Sequence, residues 1–233
     1  MNLERRYAAI FQQLQAAKDF DLESLETSRS LFDLTAGRPI PRQFEVWTCL
    51  AGLPLPDPLT AQLEAVAAEL FSLLPPGTRF YAVKPQLYHW ELFIIKRPAE
   101  SLDDRQLREA GERLARVLRG TPPIAVRYRG VLVTPDGTAI VRGFGEFDRL
   151  REQLRTAIPF ASPHQSQLGH ISLGRILDPM GETAFKQLQD FVTDALDRDY
   201  GTFHVTQAHY VHERRWYMEA CETIRTLPFA GPH

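Results

Sequence analysis

The chain has 233 residues, 44% of them hydrophobic, which is enough for one domain with a large core or for two small lobes. Its 27 Lys and Arg stand against 29 Asp and Glu, so the molecule as a whole has no attraction for a long polyanion, and duplex DNA is not an expected partner. The opening Met1-Asn2-Leu3-Glu4-Arg5-Arg6 lacks the apolar core of a signal peptide and no later apolar run approaches a membrane span, which predicts a soluble, cytoplasmic protein with no membrane partner.

Residues 3–33 are helix-like: Leu3, Tyr7, Ile10, Phe11 and Leu14 recur at helical spacing, and Leu22, Leu25, Leu31 and Phe32 follow before Gly37, Pro39 and Pro41 break the pattern. This predicts an N-terminal helical extension over 1–41 with a packing role, ahead of a main domain over 42–233. Phe44 to Leu50 reads as a strand, Pro58 to Leu74 as a helix stopped by Pro75-Pro76-Gly77, and Phe80 to Val83 as a strand. The run from Leu87 to Ile95 is a further strand, carrying His89. Ser101 is the expected cap of a helix that opens on Asp103 and Asp104 and ends at Gly120.

Pro135-Asp136-Gly137 is a turn between two runs rich in Val and Ile, predicting a hairpin from Ile124–Val133 and Thr138–Gly143. A helix over Phe147–Ala157 follows, then the strand His170-Ile-Ser-Leu-Gly-Arg175, a helix over Gly181–Leu196, and a last hairpin from Phe203–Val211 and Tyr217–Ile224. Cys49 and Cys221 lie far apart without a zinc or redox spacing and are expected as small buried thiols. His204, His209 and His212 differ in strand parity, so one flat strand cannot converge them on a metal.

The two halves repeat one plan of His-bearing strand, helix and antiparallel hairpin, with the histidines 81 positions apart. The mixture predicts an α+β fold of two pseudo-symmetric lobes, with antiparallel sheets lining a central cleft and helices outside. In each motif the residue two positions after the histidine shares its strand face: Glu91 after His89, Ser172 after His170. Arg175 has odd spacing from His170 and reaches that face only if Gly174 permits a bulge or bend. Tyr210 and Arg214 on the last hairpin are candidate cleft-wall residues, for stacking a base or meeting a phosphate. No Rossmann fingerprint, P-loop or GxSxG is present.

On these residues the chain resembles the two-histidine (2H) phosphoesterase superfamily, which includes 2′-5′ RNA ligase-like proteins and cyclic phosphodiesterases. The resemblance spans roughly 42–228 and rests on the approach Tyr81 to His89 and on His170-Ile-Ser-Leu-Gly-Arg175. It implies a phosphodiesterase that needs neither metal nor cofactor and acts on 2′,3′-cyclic nucleotide phosphates or on RNA ends that carry one. One imidazole accepts a proton from water, the other donates one to the departing ribose oxygen, and the motif hydroxyls steady the phosphate oxygens. We assign His89 as the acid and His170 as the base, with Ser172, Glu91 and Arg175 binding substrate.

Glu91 stands where the resemblance implies a hydroxyl. An ionised carboxylate about 4 Å from a phosphate is repelled by roughly 4 kcal/mol at an effective dielectric of 20. Loss of one neutral hydrogen bond costs only about 1 kcal/mol. Repulsion dominates unless Glu91 is protonated, pairs with Lys84 or Arg175, meets a ribose hydroxyl, or raises the pKa of His89. The competing expectation is therefore a weak or inactive module that binds a nucleotide or another phosphate ester.

Overall fold

The alternating and β-branched runs of the sequence become strands of one antiparallel sheet in the computed structural model, which describes residues 3–231. In chain order the elements begin with α1 (Leu3–Ala16), α2 (Leu22–Arg29), β1 (Phe32–Asp33), β2 (Ile40–Pro41), β3 (Gln43–Gly52), α3 (Asp57–Phe71) and β4 (Phe80–Ala82). They continue with β5 (His89–Lys96), α4 (Asp104–Arg119), β6 (Ile124–Val133), β7 (Thr138–Phe144), α5 (Asp148–Ala157) and β8 (Ile171–Ile176). The last are α6 (Glu182–Ala195), β9 (Asp199–Val205), β10 (Gln207–Arg215) and β11 (Ala220–Pro228). Short 3-10 turns cover Pro85–Leu87 and Trp216–Met218. Among the described residues no helix is long and apolar enough to cross a membrane.

The strands run in the order β11-β10-β3-β5-β8-β7-β6-β9, with β4 also pairing β8. The two His-bearing strands meet at the centre through one bridge, Trp90 opposite Ile171. The α+β reading with antiparallel sheets holds. The halves, however, are not contiguous stretches of chain. The β6–β7 hairpin that follows the first His strand joins β8, and the β10–β11 hairpin that follows the second joins β3, the neighbour of β5. Each hairpin completes the sheet half of the other histidine.

The run Phe203–Val211, expected as one strand of the last hairpin, divides at Thr206. β9 pairs with β6, while β10 pairs with β3 and β11. The chain passes from one half of the sheet to the other there, a choice of partner that local alternation does not encode. The helix expected to be capped by Ser101 is instead capped by Asp103, whose carboxylate accepts from Gln106 N while the Gln106 side chain returns to Asp103 N. That reciprocal box satisfies two otherwise orphaned donors, and Ser101 lies outside it. Cys49 is buried as expected, but Cys221 is exposed on the outermost strand.

The N-terminal helices are fastened to the main core. Tyr7, Leu14, Leu25 and Phe32 are buried in it. The Tyr7 hydroxyl donates to Gly143 O (3.2 Å) and accepts from Gly143 N (3.2 Å) and Gly169 N (3.1 Å), beside the second motif. β7 and the approach to β8 cross so closely there that a Cβ on Gly143 would overlap the Gly169 carbonyl. Gln189 of α6 ties down the end of α1 by donating to Leu14 O (2.8 Å) and Ala17 O (2.9 Å).

A second fastening comes from Arg151 of α5. Its Nε donates to Leu92 O (3.1 Å), and its Nη2 donates to Glu91 O (2.9 Å) and Leu168 O (2.7 Å). The guanidinium lies over the Phe147 ring, 4.6 Å from its centroid. Burial lowers its pKa to about 10, against the pull of Glu91 and Asp148, so it remains a cation at neutral pH. One side chain thereby joins the first motif to the segment leading into the second.

Removing either fastening is expected to destabilise the whole domain. Tyr7→Phe should cost about 1–3 kcal/mol, because buried backbone groups lose their partner. Arg151→Met should cost about 3–5 kcal/mol, since three carbonyls are left without a donor. Urea denaturation followed by tryptophan fluorescence measures both, and a single shifted transition for Tyr7→Phe marks the N-terminal helix as part of the same cooperative unit.

Candidate functional site

The bridge between Trp90 and Ile171 decides what faces the cleft. Both side chains are fully buried on the helix side of the sheet. The flanking residues therefore project to the opposite side, with His89 across from Ser172 and Glu91 across from His170. The two imidazoles form a diagonal pair, with Cα atoms about 7–8 Å apart by strand geometry. All four side chains are half-buried.

Nδ1 of His89 donates to Leu87 O at 2.8 Å, which leaves Nε2 free for chemistry. Burial lowers the His89 pKa, and the Leu87 carbonyl partly restores it. Glu91 does not raise it, contrary to one of the sequence expectations. His170 is lowered to about 4, first by burial and then by the nearby Arg151, His89 and Arg175 charges. Its Nδ1 is buried without a hydrogen-bond partner. His170 is therefore neutral at pH 7.

Arg175 does share the face of Ser172. Thr138 pairs with Arg175 and Ile140 with Ser172, and between them β8 carries one more residue than β7, so Leu173 is bulged. Gly174 lets β4 approach, since a Cβ there would overlap the Tyr81 carbonyl. The guanidinium is mostly buried. Its Nη1 lies 3.3 Å from Asp136 and donates to Ser28 Oγ at 3.0 Å, while its Nε has no partner.

Glu91 pairs with neither of the cations proposed for it, since Lys84 is held by Glu219 at 2.6 Å and Arg175 by Asp136. Burial raises its pKa against the pull of Thr48, Arg151 and Arg97. Thr48 Oγ1 lies 3.3 Å from Glu91 Oε1 and 3.1 Å from Phe93 O. One hydroxyl proton cannot serve both oxygens. A protonated Glu91 that donates to Thr48 satisfies both contacts, whereas an ionised one leaves two acceptors facing each other. A polar cavity of about 450 Å³ opens beside Glu91, lined also by Arg97, His164, Gln165 and Gln167.

Tyr210 and Arg214 do not line this site. Tyr210 pairs with Cys49 and turns to the helix side, where it is buried and donates to Leu107 O at 3.1 Å. Arg214 is exposed in an ion pair with Glu222. The cleft face of β10 instead carries Val211 and Glu213. Burial pushes Glu213 up to about 8; the hydrogen bond from Met218 N (2.9 Å) lowers it and the Glu91 charge raises it further.

The Trp216–Met218 turn folds over this face, placing Met218 against Leu50 and Val211. Tyr217 and Met218 are both left-handed, at φ 61° and 58°, and the Tyr217 hydroxyl is buried near Arg175 without a partner. Thr48, Arg151, Glu213 and Tyr217 are the site residues that sequence reasoning missed. Only Arg151 left a signal, an arginine within the apolar seam of Phe147, Leu150 and Leu154. The two left-handed positions left none, being neither Gly nor Asn.

No protein-family model and no curated protein matches this sequence. Solved structures do match. TT0787 of Thermus thermophilus superposes with a TM-score of 0.56 at 16% identity, over 81% of this chain and 100% of that one. E. coli LigT complexed with 3′-AMP gives 0.53 at 13% identity, over 81% and 99%. E. coli LigT complexed with phosphate gives 0.51 at 13%, over 80% and 98%. At such identities the likeness concerns the fold: this chain has the fold of LigT and TT0787, and at that level its resemblance to the two-histidine phosphoesterases holds.

Proposed function

We propose that the protein is a two-histidine phosphodiesterase that opens 2′,3′-cyclic phosphates, on nucleotides or on RNA ends. The observation that carries this reading is the in-register placement of His89, His170 and Ser172 on one face of the β5–β8 junction. LigT structures with phosphate, 3′-AMP and ATP support a nucleotide phosphate as the ligand of this fold. Neutral His170 takes a proton from the attacking water, whose oxygen bonds to phosphorus. Protonated His89 gives a proton to the ribose oxygen as its bond to phosphorus breaks. The Leu87 carbonyl favours the imidazolium of His89, while the Arg151 charge disfavours that of His170, which sorts acid from base.

Ser172 and Arg175 hold the nonbridging oxygens in this scheme, and the unpartnered Arg175 Nε and Tyr217 hydroxyl are donors in reserve. Glu91 acts as a neutral acid, a hydrogen-bond donor where a hydroxyl is implied. That state avoids the repulsion of a buried carboxylate against phosphate.

Hydrolysis of 2′,3′-cyclic nucleotides in the presence of chelator is the direct test. His170→Ala and His89→Ala should each lower kcat about 10²–10⁴-fold. A wild type that binds 3′-AMP yet cleaves nothing over a broad panel would establish the binding-module alternative.

The pH profile of kcat/KM should rise through about pH 4 as His170 loses its proton, and fall from below pH 6.5 upward as His89 does. Glu91→Gln cannot ionise, so its affinity for 3′-AMP should fall less with rising pH than that of the wild type, by calorimetric titration. An affinity lost alike in both proteins would show that Glu91 does not act through its charge.

A further inference from the structure

A second concave site lies along β8 from the histidines, where β4 presents its outer edge. It is a cavity of about 550 Å³ between Phe80 and Tyr81 of β4, the Arg38–Pro41 strap, Lys84, and Arg215 with Glu219 at the tip of the β10–β11 hairpin. Three cations and one carboxylate line it. The carboxylate is committed, because Glu219 accepts from Lys84 Nζ and from the Tyr81 hydroxyl, each at 2.6 Å. Arg38 and Arg215 have no ion-pair or side-chain hydrogen-bond partner among the described residues. Glu219 also feels the Arg215 charge, so with three cations against one carboxylate the cavity carries an excess of two positive charges on a protein whose net charge is −2.

Its wall is aromatic as well. Phe80 is 37% exposed, one of three large hydrophobic side chains so exposed among the described residues. Its ring is backed by Phe71, stacked at 4.8 Å, so its outer side is presented without freedom to turn inward. Free cations beside an exposed, supported ring are the pairing that single-stranded nucleic acid uses, phosphate on the charge and base on the ring.

The position relative to the histidines is set by one strand edge. β5 meets β8 at Ile171, and β4 meets the same edge of β8 at Gly174 to Ile176. At about 3.3 Å per residue the two sites are roughly 10–17 Å apart along β8, and Phe80, paired with Ile176 and stacked on Phe71 of α3, lies on the helix side of the sheet, so a ligand joining them passes round the free edge of β4. That exceeds the reach of a mononucleotide's own phosphate and suits a chain of several nucleotides.

We propose that this cavity is a tail subsite: Arg38 and Arg215 take a backbone phosphate and Phe80 stacks a base, so the ligand of the histidine pair is the end of an oligoribonucleotide. The proposal rests on the phosphodiesterase reading above and narrows it from free cyclic nucleotides to RNA ends. It gives the Arg38–Pro41 strap a ligand-binding role that the helical packing around it does not require.

The experiment compares a cyclic mononucleotide with a short oligoribonucleotide ending in a 2′,3′-cyclic phosphate, for the wild type, Arg38→Ala/Arg215→Ala and Phe80→Leu. Neither arginine supports the fold through an ion pair, and thermal denaturation checks that all three proteins fold alike. The wild type should prefer the oligonucleotide. The double variant should lose about tenfold in kcat/KM on the oligonucleotide alone, with a log–log salt slope shallower by about 1. Phe80→Leu should lose about 5- to 100-fold on the oligonucleotide alone, as expected for one stacked base.

Equal wild-type rates on both substrates, or variants that weaken both alike, would overturn the subsite while leaving the phosphodiesterase reading in place. If the wild type cleaves neither substrate, that reading fails instead. Fluorescence anisotropy with a 3′-phosphate-ended oligoribonucleotide then decides the subsite: arginine-dependent binding supports it, and binding unaffected by the variants overturns it.

Discussion

Two sheet halves meet at a single bridge pair, and the buried guanidinium of Arg151 makes that junction hold. A lone bridge leaves most backbone groups near it without a ladder partner. Arg151 supplies donors to Glu91 O and Leu92 O on one side and to Leu168 O on the other. Gln165 adds a second link, its amide oxygen accepting from Ile94 N and its amide nitrogen donating to Ile94 O, each within 2.8 Å. These contacts set the register of the two motifs, and the register sets which four side chains share the cleft. Positioning the histidines is thus a matter of hydrogen-bond accounting several residues away from them.

The same cation shapes the electrostatics of the site. Placed behind both motif strands, it disfavours a proton on His170 and favours charge on Glu91. Burial opposes it at Glu91 and prevails, while at Glu213 across the face burial and the Glu91 charge both push the pKa up. Desolvation in the cleft thus favours the protonated form of both carboxyls.

The crossing of the chain accounts for the tightness of the domain. Because each hairpin completes the sheet half of the other histidine, neither half can form without the other, and the N-terminal helices close the arrangement through Tyr7 and Ser28. The β10–β11 tip reaches back across the cleft, where Tyr217 packs between Phe32 and Tyr81. Two successive left-handed residues cost of order 1–3 kcal/mol each, which the packing of Tyr217 and Met218 offsets.

By itself the sequence determined what depends on near neighbours. Strand parity placed Glu91 with His89 and Ser172 with His170, the Pro135-Asp136-Gly137 turn specified its hairpin, and helical spacing marked α3 to α6 to within a few residues of their ends, while over 3–33 it showed helix without the ends of α1 and α2 and ran on into Phe32, which is a strand residue. It also named the condition for Arg175, a bulge, without showing that one forms. Only the tertiary structure decided where the hairpins go, that Leu173 bulges, that Tyr210 faces the helices, and that Thr48 and Arg151 serve the motifs. The physical reason is the range of the forces involved. Side-chain alternation and turn geometry act over a few residues, whereas a strand's choice of partner and a buried donor's choice of acceptor are settled by segments tens of positions away.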